Sequence, residues 1–404
     1  MSAAPPTCDV LVLGASFAGI EVLHQLRALA AGRSLSVTIV DRQAQHPYIP
    51  LLHERLVDRL TEGESVLPTA RWLAADPRVR FVCGEIVGFE PAARAVRLAS
   101  GELLVGRFVV VALGSTVSPP PGLRGGERAL RCKFEEEHAR LRAALEAALR
   151  AEGPQASIVV VGGGITGVEM AGELAHLRKK RPEGWQAPAV TLVHGRARLL
   201  EKMSPRAGRR TADYLRGQGV ALRLGARLLE IEEDAVTVRA GEAAERLPAA
   251  LVIWAGGLRP SAALAGLGLP QTAEGWLAVA PTLQCLEQGK VRWPAIFACG
   301  DAARVIGGEG EWPTMQRAIE CLWQAKVVAR NVARLASAPS GEDPASTPLL
   351  PHSLRRDFFH GISLGGRSLV VYGGLVIDAP RLNTWFRRFL MRRYLARYRP
   401  RSGA

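Results

Sequence analysis

The segment Val159–Leu174, VVVGGGITGVEMAGEL, decides the fold class. A β-branched run enters Gly162, Gly164 and Gly167, and an apolar-periodic stretch carrying Glu169 and Glu173 follows. This is a strand, a glycine turn and a helix start in the G-x-G-x-x-G spacing. The first glycine permits the tight turn, the second lets the backbone approach a pyrophosphate, and the third lets helix pack close to strand. The helix N-terminus adds partial positive charge for the anion.

A second turn of this kind lies upstream. Strand Asp9–Leu13 enters Gly14-Ala15-Ser16-Phe17-Ala18-Gly19, with Ser16 where the middle glycine would stand. A helix over Ile20–Ala30 and a strand over Ser36–Val40 follow, and the strand ends in Asp41. An acid about 20 residues beyond the glycines is placed to accept hydrogen bonds from an adenosine ribose. Two such turns, each in its own βαβ context, predict two Rossmann-like dinucleotide-binding domains in one α/β chain.

The two sites differ at the end of the second strand. After Val190–Val193 the position of the acid is taken by His194, followed by Gly195, Arg196 and Arg198. An acid there accepts from both ribose hydroxyls and repels a 2′-phosphate. His194 does not repel one, and Arg196 and Arg198 either pair with it or point into solvent. The expectation is a weakened preference for NADH and use of NADPH.

With 404 residues and 48% apolar content, the chain has room for two or three cored domains. Its net charge of +14 is concentrated: eight arginines and no acid lie between Arg381 and Arg401. A local excess argues against a nucleic-acid-binding protein. No uncharged apolar run approaches ~18 residues, so no spanning helix is expected. The start MSAAPPTCDV lacks the charged and apolar regions of a signal peptide. The six cysteines stand singly, without C-x-x-C or C-x-x-x-x-C, which fits a reducing cytoplasmic compartment and offers no redox pair. No metal site is expected.

The remaining segments read as follows. His46–Arg59, HPYIPLLHERLVDR, is a functional loop. Leu104–Leu113 is a strand closing at Gly114-Ser115, and Lys133–Glu152 is a solvated helix. Short strands are expected near 221–224, 227–231 and 235–238. Leu251–Trp254 precedes Gly256-Gly257, and Ile296–Cys299 runs into Gly300-Asp301. Trp312–Leu335 is a loop and long helix, and Ser337–Pro351 a linker. In the tail, Leu382–Arg399 alternates apolar and arginine pairs. Trp385, Phe386, Phe389, Leu390, Tyr394, Leu395 and Tyr398 are expected on one helix face, suited to an anionic bilayer surface or, alternatively, to the protein body or a second copy in a homodimer.

These motifs resemble the two-dinucleotide-domain flavoproteins of glutathione-reductase-like fold, and within them the type II NADH dehydrogenases, the non-pumping NADH:quinone oxidoreductases. VTIVDRQAQHPYIPLL, VVVGGGITGVEMAGEL, LVIWAGGLRPSAALAGLGLP and WPTMQRAIECLWQAKVVARNV carry the likeness, from about residue 9 to 335. VVVALGS at 109–115 resembles the superfamily's strand-and-turn motif, and IFACGDAA the motif whose aspartate contacts the FAD ribitol. The resemblance implies an FAD-binding domain over 1–118 and 285–336, an NAD(P)H-binding domain over 153–284, and a membrane-association segment over 352–404. It assigns Gly14, Ser16, Gly19, Asp41, Arg42, Pro50, Leu51, Gly114, Gly300 and Asp301 to FAD. Gly162, Gly164, Gly167, His194 and Gly256 fall to NAD(P)H. Glu169 is placed near flavin and nicotinamide, and Gln316 and Glu320 near a quinone, with Gln324 a rival; four apart, Gln316 and Glu320 are expected on one helix face. The implied reaction passes hydride from NAD(P)H to FAD and two electrons on to a quinone in respiratory electron transport, at the cytoplasmic face of the inner (plasma) membrane. Competing readings are a sulfide:quinone reductase, a ferredoxin-type reductase, and a slow-turnover redox sensor.

Overall fold

The computed structural model describes residues 7–151, 155–287, 292–307, 316–339, 346–355, 358–378 and 380–398. Trp312–Met315 of the expected loop, 340–345 of the expected linker, and Arg399 and Arg401 of the tail lie outside these residues.

The first layer is a parallel sheet built on β1 (Cys8–Leu13). Helix α1 (Phe17–Ala28) follows the glycine turn and leads to β2 (Val37–Asp41), with β3 (Val79–Cys83) and β4 (Leu103–Val111) completing the first pass. Val10 pairs with Val37 on one side and Phe108 on the other. The strand interiors are buried on both faces, as a parallel sheet covered by helices requires.

The second layer begins with β5 (Ser157–Val161), α2 (Ile165–His176) and β6 (Ala189–His194), extended by β7 (Ala221–Leu224) and β8 (Leu251–Trp254). These four strands are parallel in the order β7-β6-β5-β8. Ala226–Ile231, Ala235–Ala240 and Ala243–Pro248 form an antiparallel sheet beside them.

The chain then returns to the first sheet. Strand β9 (Arg292–Ala298) pairs parallel with β4. The short strand Leu277–Val279, assigned from sequence to the second domain, also lies in the first sheet, beside Ala303–Val305. Helix α3 (Ala318–Ala336) packs along α1. It starts after Arg317, and Gln316 precedes it with a left-handed φ of 54°. Gln316 and Glu320 therefore do not share a helix face, because the first of them is not helical.

The C-terminal part is an antiparallel sheet of β10 (His360–Ser363), β11 (Ser368–Tyr372) and β12 (Leu375–Asp378), then helix α4 (Pro380–Tyr398). Ile362, Leu364, Leu369 and Val371 join the core around β5 and α2, whereas Met391, Tyr394, Leu395 and Tyr398 join the core around β1, α1 and α3. This segment thus spans both nucleotide-binding layers.

The tail helix departs from the expected single apolar face. Leu382, Trp385, Phe386, Phe389 and Leu390 are exposed, while Met391, Tyr394, Leu395 and Tyr398 are buried against Phe17, Trp72 and Glu21. Trp385 and Tyr394 are nine residues apart, which is two and a half turns at 3.6 residues per turn. They must point to opposite sides, and chaining i, i+3, i+4 steps across both groups hid that reversal. No helix among the described residues is long and apolar enough to cross a membrane.

The two faces of α4 predict different mutational costs. Met391→Ala, in the body-facing stripe, should cost ~2–5 kcal/mol and lower the thermal midpoint by several degrees. Leu390→Ala, on the outer face, should stay within ~0.5 kcal/mol of the parent. Equal midpoints in thermal unfolding of the two variants would contradict this docking of the helix.

Candidate functional site

Both glycine turns are built to the same plan. At the first, Gly14 has φ 109°, and a Cβ there would lie 2.4 Å from the Ala112 carbonyl oxygen. A Cβ on Gly19 would lie 1.8 Å from the Gly14 oxygen, so α1 can seat only against bare backbone. At the second, Gly162 has φ 125° and its Cβ would meet the Ala255 oxygen at 2.5 Å, while one on Gly167 would meet the Gly162 oxygen at 1.7 Å. Gly164 differs, since a Cβ there would meet nothing within 4 Å. The backbone at that helix N-terminus is open to a ligand.

The side chain ending the second strand of each unit ties back to its turn. The Ala15 N–H donates to Asp41 Oδ2 at 2.7 Å, and the Gln43 N–H to Oδ1 at 2.9 Å. In the other unit the Gly163 N–H donates to His194 Nδ1 at 3.1 Å. Histidine thus performs the acid's structural task. Because Nδ1 accepts, neutral His194 carries its proton on Nε2, which is buried and has no partner among the described residues. Burial lowers its pKa, which favours this neutral form. An orphaned donor beside an open helix N-terminus fits a nucleotide ribose. The two arginines behind it do not behave alike. Arg198 is held by the carbonyls of Leu200, Glu201 and Met203 through Nη1 and Nη2, which fixes its guanidinium against the backbone. Arg196 is exposed, 3.7 Å from Glu201. Gly256 lies under the Trp254 indole, whose Nε1 is also buried without a partner among the described residues.

The first unit's remaining candidates gather around Asp301. Gly300 has φ 75°, and its N–H donates to Gln324 Oε1 at 2.7 Å, so Gln324 holds the turn that presents Asp301. Asp301 Oδ2 accepts from Ser115 Oγ at 2.6 Å and lies 3.2 Å from Lys133 Nζ, which also donates to Ser115 Oγ. Gly114, with φ 66°, leaves open space on its Cβ side. Gln316 Nε2 donates to the Asp301 carbonyl at 3.4 Å. Arg42 lies over the Phe134 ring at 4.8 Å. Ser16 fits at the middle position because its Oγ turns to His46 Nδ1, 3.2 Å away, and not into the turn. Lys133, expected as the first residue of a solvated helix, instead precedes helix Glu135–Arg150 and is buried against Asp301.

Glu169 sits in the seam between the two units and the C-terminal segment. Its Oε1 accepts from the Ser363 N–H at 2.9 Å and from Arg387 Nη2 at 2.8 Å, and Oε2 lies 3.6 Å from His53 Nδ1. Arg387 also donates to the Pro50 carbonyl at 3.2 Å, next to buried Leu51. Glu173 accepts from Arg59 at 2.6 Å and Ser363 Oγ at 2.8 Å, and Glu54 from Arg388 at 2.9 Å. His53, Glu54 and Glu173 have the spacing of a cation site. Arg59, Arg387 and Arg388 already match the three acids of the seam, so the cluster reads as an ion-pair network. Burial pushes the Glu169 carboxyl up to about 7, with Arg387 and the Ser363 N–H pulling the other way. A carboxyl there holds its proton near neutral pH.

Arg317, at the start of α3, faces the same seam. Its Nη1 donates to His360 Nδ1 at 2.8 Å. Burial lowers its pKa to about 10, opposed by Glu169 and Glu320, and His360 is lowered to about 4 by burial and by Arg317. Glu320 itself is 2% exposed and faces His352 Nε2 at 3.2 Å, turned toward the segment after α3. Lys133, Arg317, His53, His360 and Arg387 all lie in segments that the sequence marks, but none was singled out within them, because a lone basic residue carries no spacing signal.

Comparison with known proteins bears on the fold and the family. The profile of the pyridine nucleotide-disulphide oxidoreductase family matches residues 8–325. The type II NADH:quinone oxidoreductase Ndh of Mycobacterium tuberculosis is 28% identical over 365 residues, covering 83% of this chain and 74% of that protein. The type II NADH:quinone oxidoreductase of Staphylococcus aureus is 25% identical over 359 residues, covering 83% and 84%. Among solved structures, NDH2 from Plasmodium falciparum superposes with a TM-score of 0.81 at 12% identity, covering 97% of this chain and 96% of that one. A sulfide:quinone oxidoreductase from Aquifex aeolicus gives 0.77 at 16%, covering 97% and 91%. The resemblance to type II NADH dehydrogenases is borne out by these relatives, and the chain belongs to the pyridine nucleotide-disulphide oxidoreductase family.

Proposed function

We propose that the protein oxidises NADH or NADPH and reduces a quinone, with FAD as resident cofactor and without pumping protons. The paired turns carry this reading: Ala15–Asp41 and Gly163–His194 are two copies of one nucleotide-binding device in one chain. FAD, when bound, accepts a hydride and releases electrons singly or in pairs. Gly14, Ser16, Gly19, Asp41 and Asp301, with Ser115 and Lys133 behind Asp301, would hold it; Arg42, Pro50, Leu51, Gly114 and Gly300 complete the proposed set. Gly162, Gly164, Gly167, His194 and Gly256 would hold the nicotinamide nucleotide.

The overall reaction sets a proton requirement. A hydride brings one proton and two electrons, whereas a quinone becoming a quinol takes two of each, so one proton must come from the medium. Glu169 is suited to hold it on Oε2, because its Oε1 is occupied by Ser363 and Arg387. The Arg317–His360 pair offers N–H donors to an acceptor carbonyl on the α3 side, beside Gln316. Glu320 has its role in packing His352, in preference to touching the quinone.

A sulfide-oxidising reading needs accessible thiolates. Burial pushes Cys132 and Cys299 up to about 12, and raises Cys285 and Cys321 as well. Thiols so perturbed are poor nucleophiles at neutral pH. For the quinone, the surface argues for a membrane source. Among the described residues, nine of the thirteen exposed large hydrophobic side chains lie between Phe359 and Leu390. We infer peripheral binding to a bilayer through this patch, at the cytoplasmic face of the inner membrane.

Anaerobic mixing of the yellow protein with NADH should bleach the flavin band, and a short-chain quinone should restore it at ordinary turnover rates of ~1–10³ per second. Bleaching without reoxidation by quinone would overturn the acceptor. Glu169→Gln should lower turnover by roughly 10²-fold. In the parent the proton-bearing form of Glu169 is lost as pH rises through about 7, so the rate should fall across that range. The glutamine variant should lack that inflection; an unchanged pH profile would remove Glu169 from proton transfer. At the other end of the nucleotide, His194→Asp should move the ratio of kcat/KM values toward NADH by about tenfold, since a carboxylate repels a 2′-phosphate. Steady-state assays with both nucleotides check this, and equal ratios in parent and variant would mean that His194 does not face the ribose.

A further inference from the structure

A cavity of about 450 Å³ opens between Arg59, the turn at Gly366 and the outer side of α4. It lies apart from both glycine turns. Trp385 and Phe389 line it, with ring centroids 5.4 Å apart and planes 12° from parallel. Arg59, Arg388 and Arg392 line it as well. Its lining thus combines a flat apolar pair with three guanidinium groups.

The arginines are held in different ways. Arg59 is braced from behind by buried Glu173 at 2.6 Å, and Arg388 by buried Glu54 at 2.9 Å. Among the described residues, the bonds of Arg59 to Glu173 run through Nη1, and those of Arg388 through Nε and Nη2. Each guanidinium has five N–H donors in a planar fork, so this bracing fixes orientation and leaves donors for a second anion. Arg392 is 67% exposed, and its nearest acid, Glu64, is 3.8 Å away at the surface. Three guanidinium groups converging on one cavity match the oxygens of a phosphate. The stacked rings, continuing into exposed Leu382, Phe386 and Leu390, match a glycerol backbone and acyl chain.

We propose that this cavity is a binding site for one anionic phospholipid, with the phosphate held by Arg59, Arg388 and Arg392 and the acyl chain laid over Trp385 and Phe389. The proposal rests on the membrane reading of the C-terminal segment and sharpens it from a general attraction to a defined site. A free phosphate shares the headgroup chemistry but lacks the apolar part, so the two are separable.

The test is calorimetric titration of the full-length protein with three probes: dihexanoyl phosphatidylglycerol below its micellar concentration, dihexanoyl phosphatidylcholine, and inorganic phosphate. Phosphatidylglycerol should bind saturably, one per chain, and about tenfold or more tighter than either other probe. Arg392→Ala and Trp385→Ala should each weaken it about fivefold or more while reduction of a water-soluble quinone is unchanged. Phosphate binding as tightly as phosphatidylglycerol would overturn the lipid assignment, and so would equal binding by the parent and both variants. Sedimentation with phosphatidylcholine vesicles, with and without phosphatidylglycerol, tests the membrane reading separately. Vesicle binding without a saturable phosphatidylglycerol site leaves the membrane reading standing and removes the cavity. Saturable binding without vesicle association does the reverse.

Discussion

A charge cannot be buried without a partner, and that constraint organises this molecule. Three carboxylates, Glu54, Glu169 and Glu173, lie in the seam between the two nucleotide-binding layers. Left unpaired, each would cost several kcal/mol of desolvation. Arg59 meets one from the loop after β2, but Arg387 and Arg388 come from α4, more than 200 residues further along the chain than Glu169 and Glu173. The tail helix is therefore part of the seam. The same helix turns its outer face, with Trp385 and Phe389, away from the body. One short element thus touches a candidate proton carrier on one side and offers an exposed apolar surface on the other.

The two glycine turns show how a structural role can persist while a chemical one changes. Asp41 and His194 both lock the strand end to the turn through one backbone N–H. That bond needs only an acceptor, which imidazole Nδ1 supplies. What differs is the second atom of each group: a carboxylate oxygen, which accepts from the Gln43 N–H, in one case and a buried N–H donor in the other. A donor bonds to either a ribose hydroxyl or a phosphate oxygen, which is the basis for proposing a relaxed selectivity at an intact turn. Of the arginines that sequence placed nearby, Arg198 is tied to three backbone carbonyls, whereas Arg196 is exposed.

What sequence made legible follows from the range of the forces involved. The glycine turns, the strands feeding them and the acid at Asp41 are local features, and the structure has them at the expected positions. Gln316 and Glu320 were placed on one face by a spacing rule that applies only inside a helix, and the chain enters the helix after Gln316. The tail was misphased because it is apolar on both sides: one stripe packs on Phe17 and Trp72, the other is exposed. Periodicity cannot separate two stripes on a helix that has both. Lys133, Arg317 and Arg387 are long-range partners, and their meaning lies in which acid they face, a fact that no window of sequence contains.

The family to which the chain belongs carries disulphide chemistry in its name, yet the six cysteines here are free, five of them wholly or partly buried. No disulphide joins them, and the proposed reaction accordingly passes electrons from a nicotinamide nucleotide to a diffusible acceptor. Such an acceptor needs a route from a reservoir and a source of one proton. The exposed apolar residues crowd between Phe359 and Leu390, on the same segment whose Ser363 and Arg387 hold Glu169. The exposed apolar patch and the contacts that hold Glu169 thus belong to about 40 residues of one C-terminal segment. A change that undocks α4 should act on both at once, because Arg387, which holds the carboxyl, and the exposed rings of Trp385 and Phe389 lie within a turn of each other on the same helix.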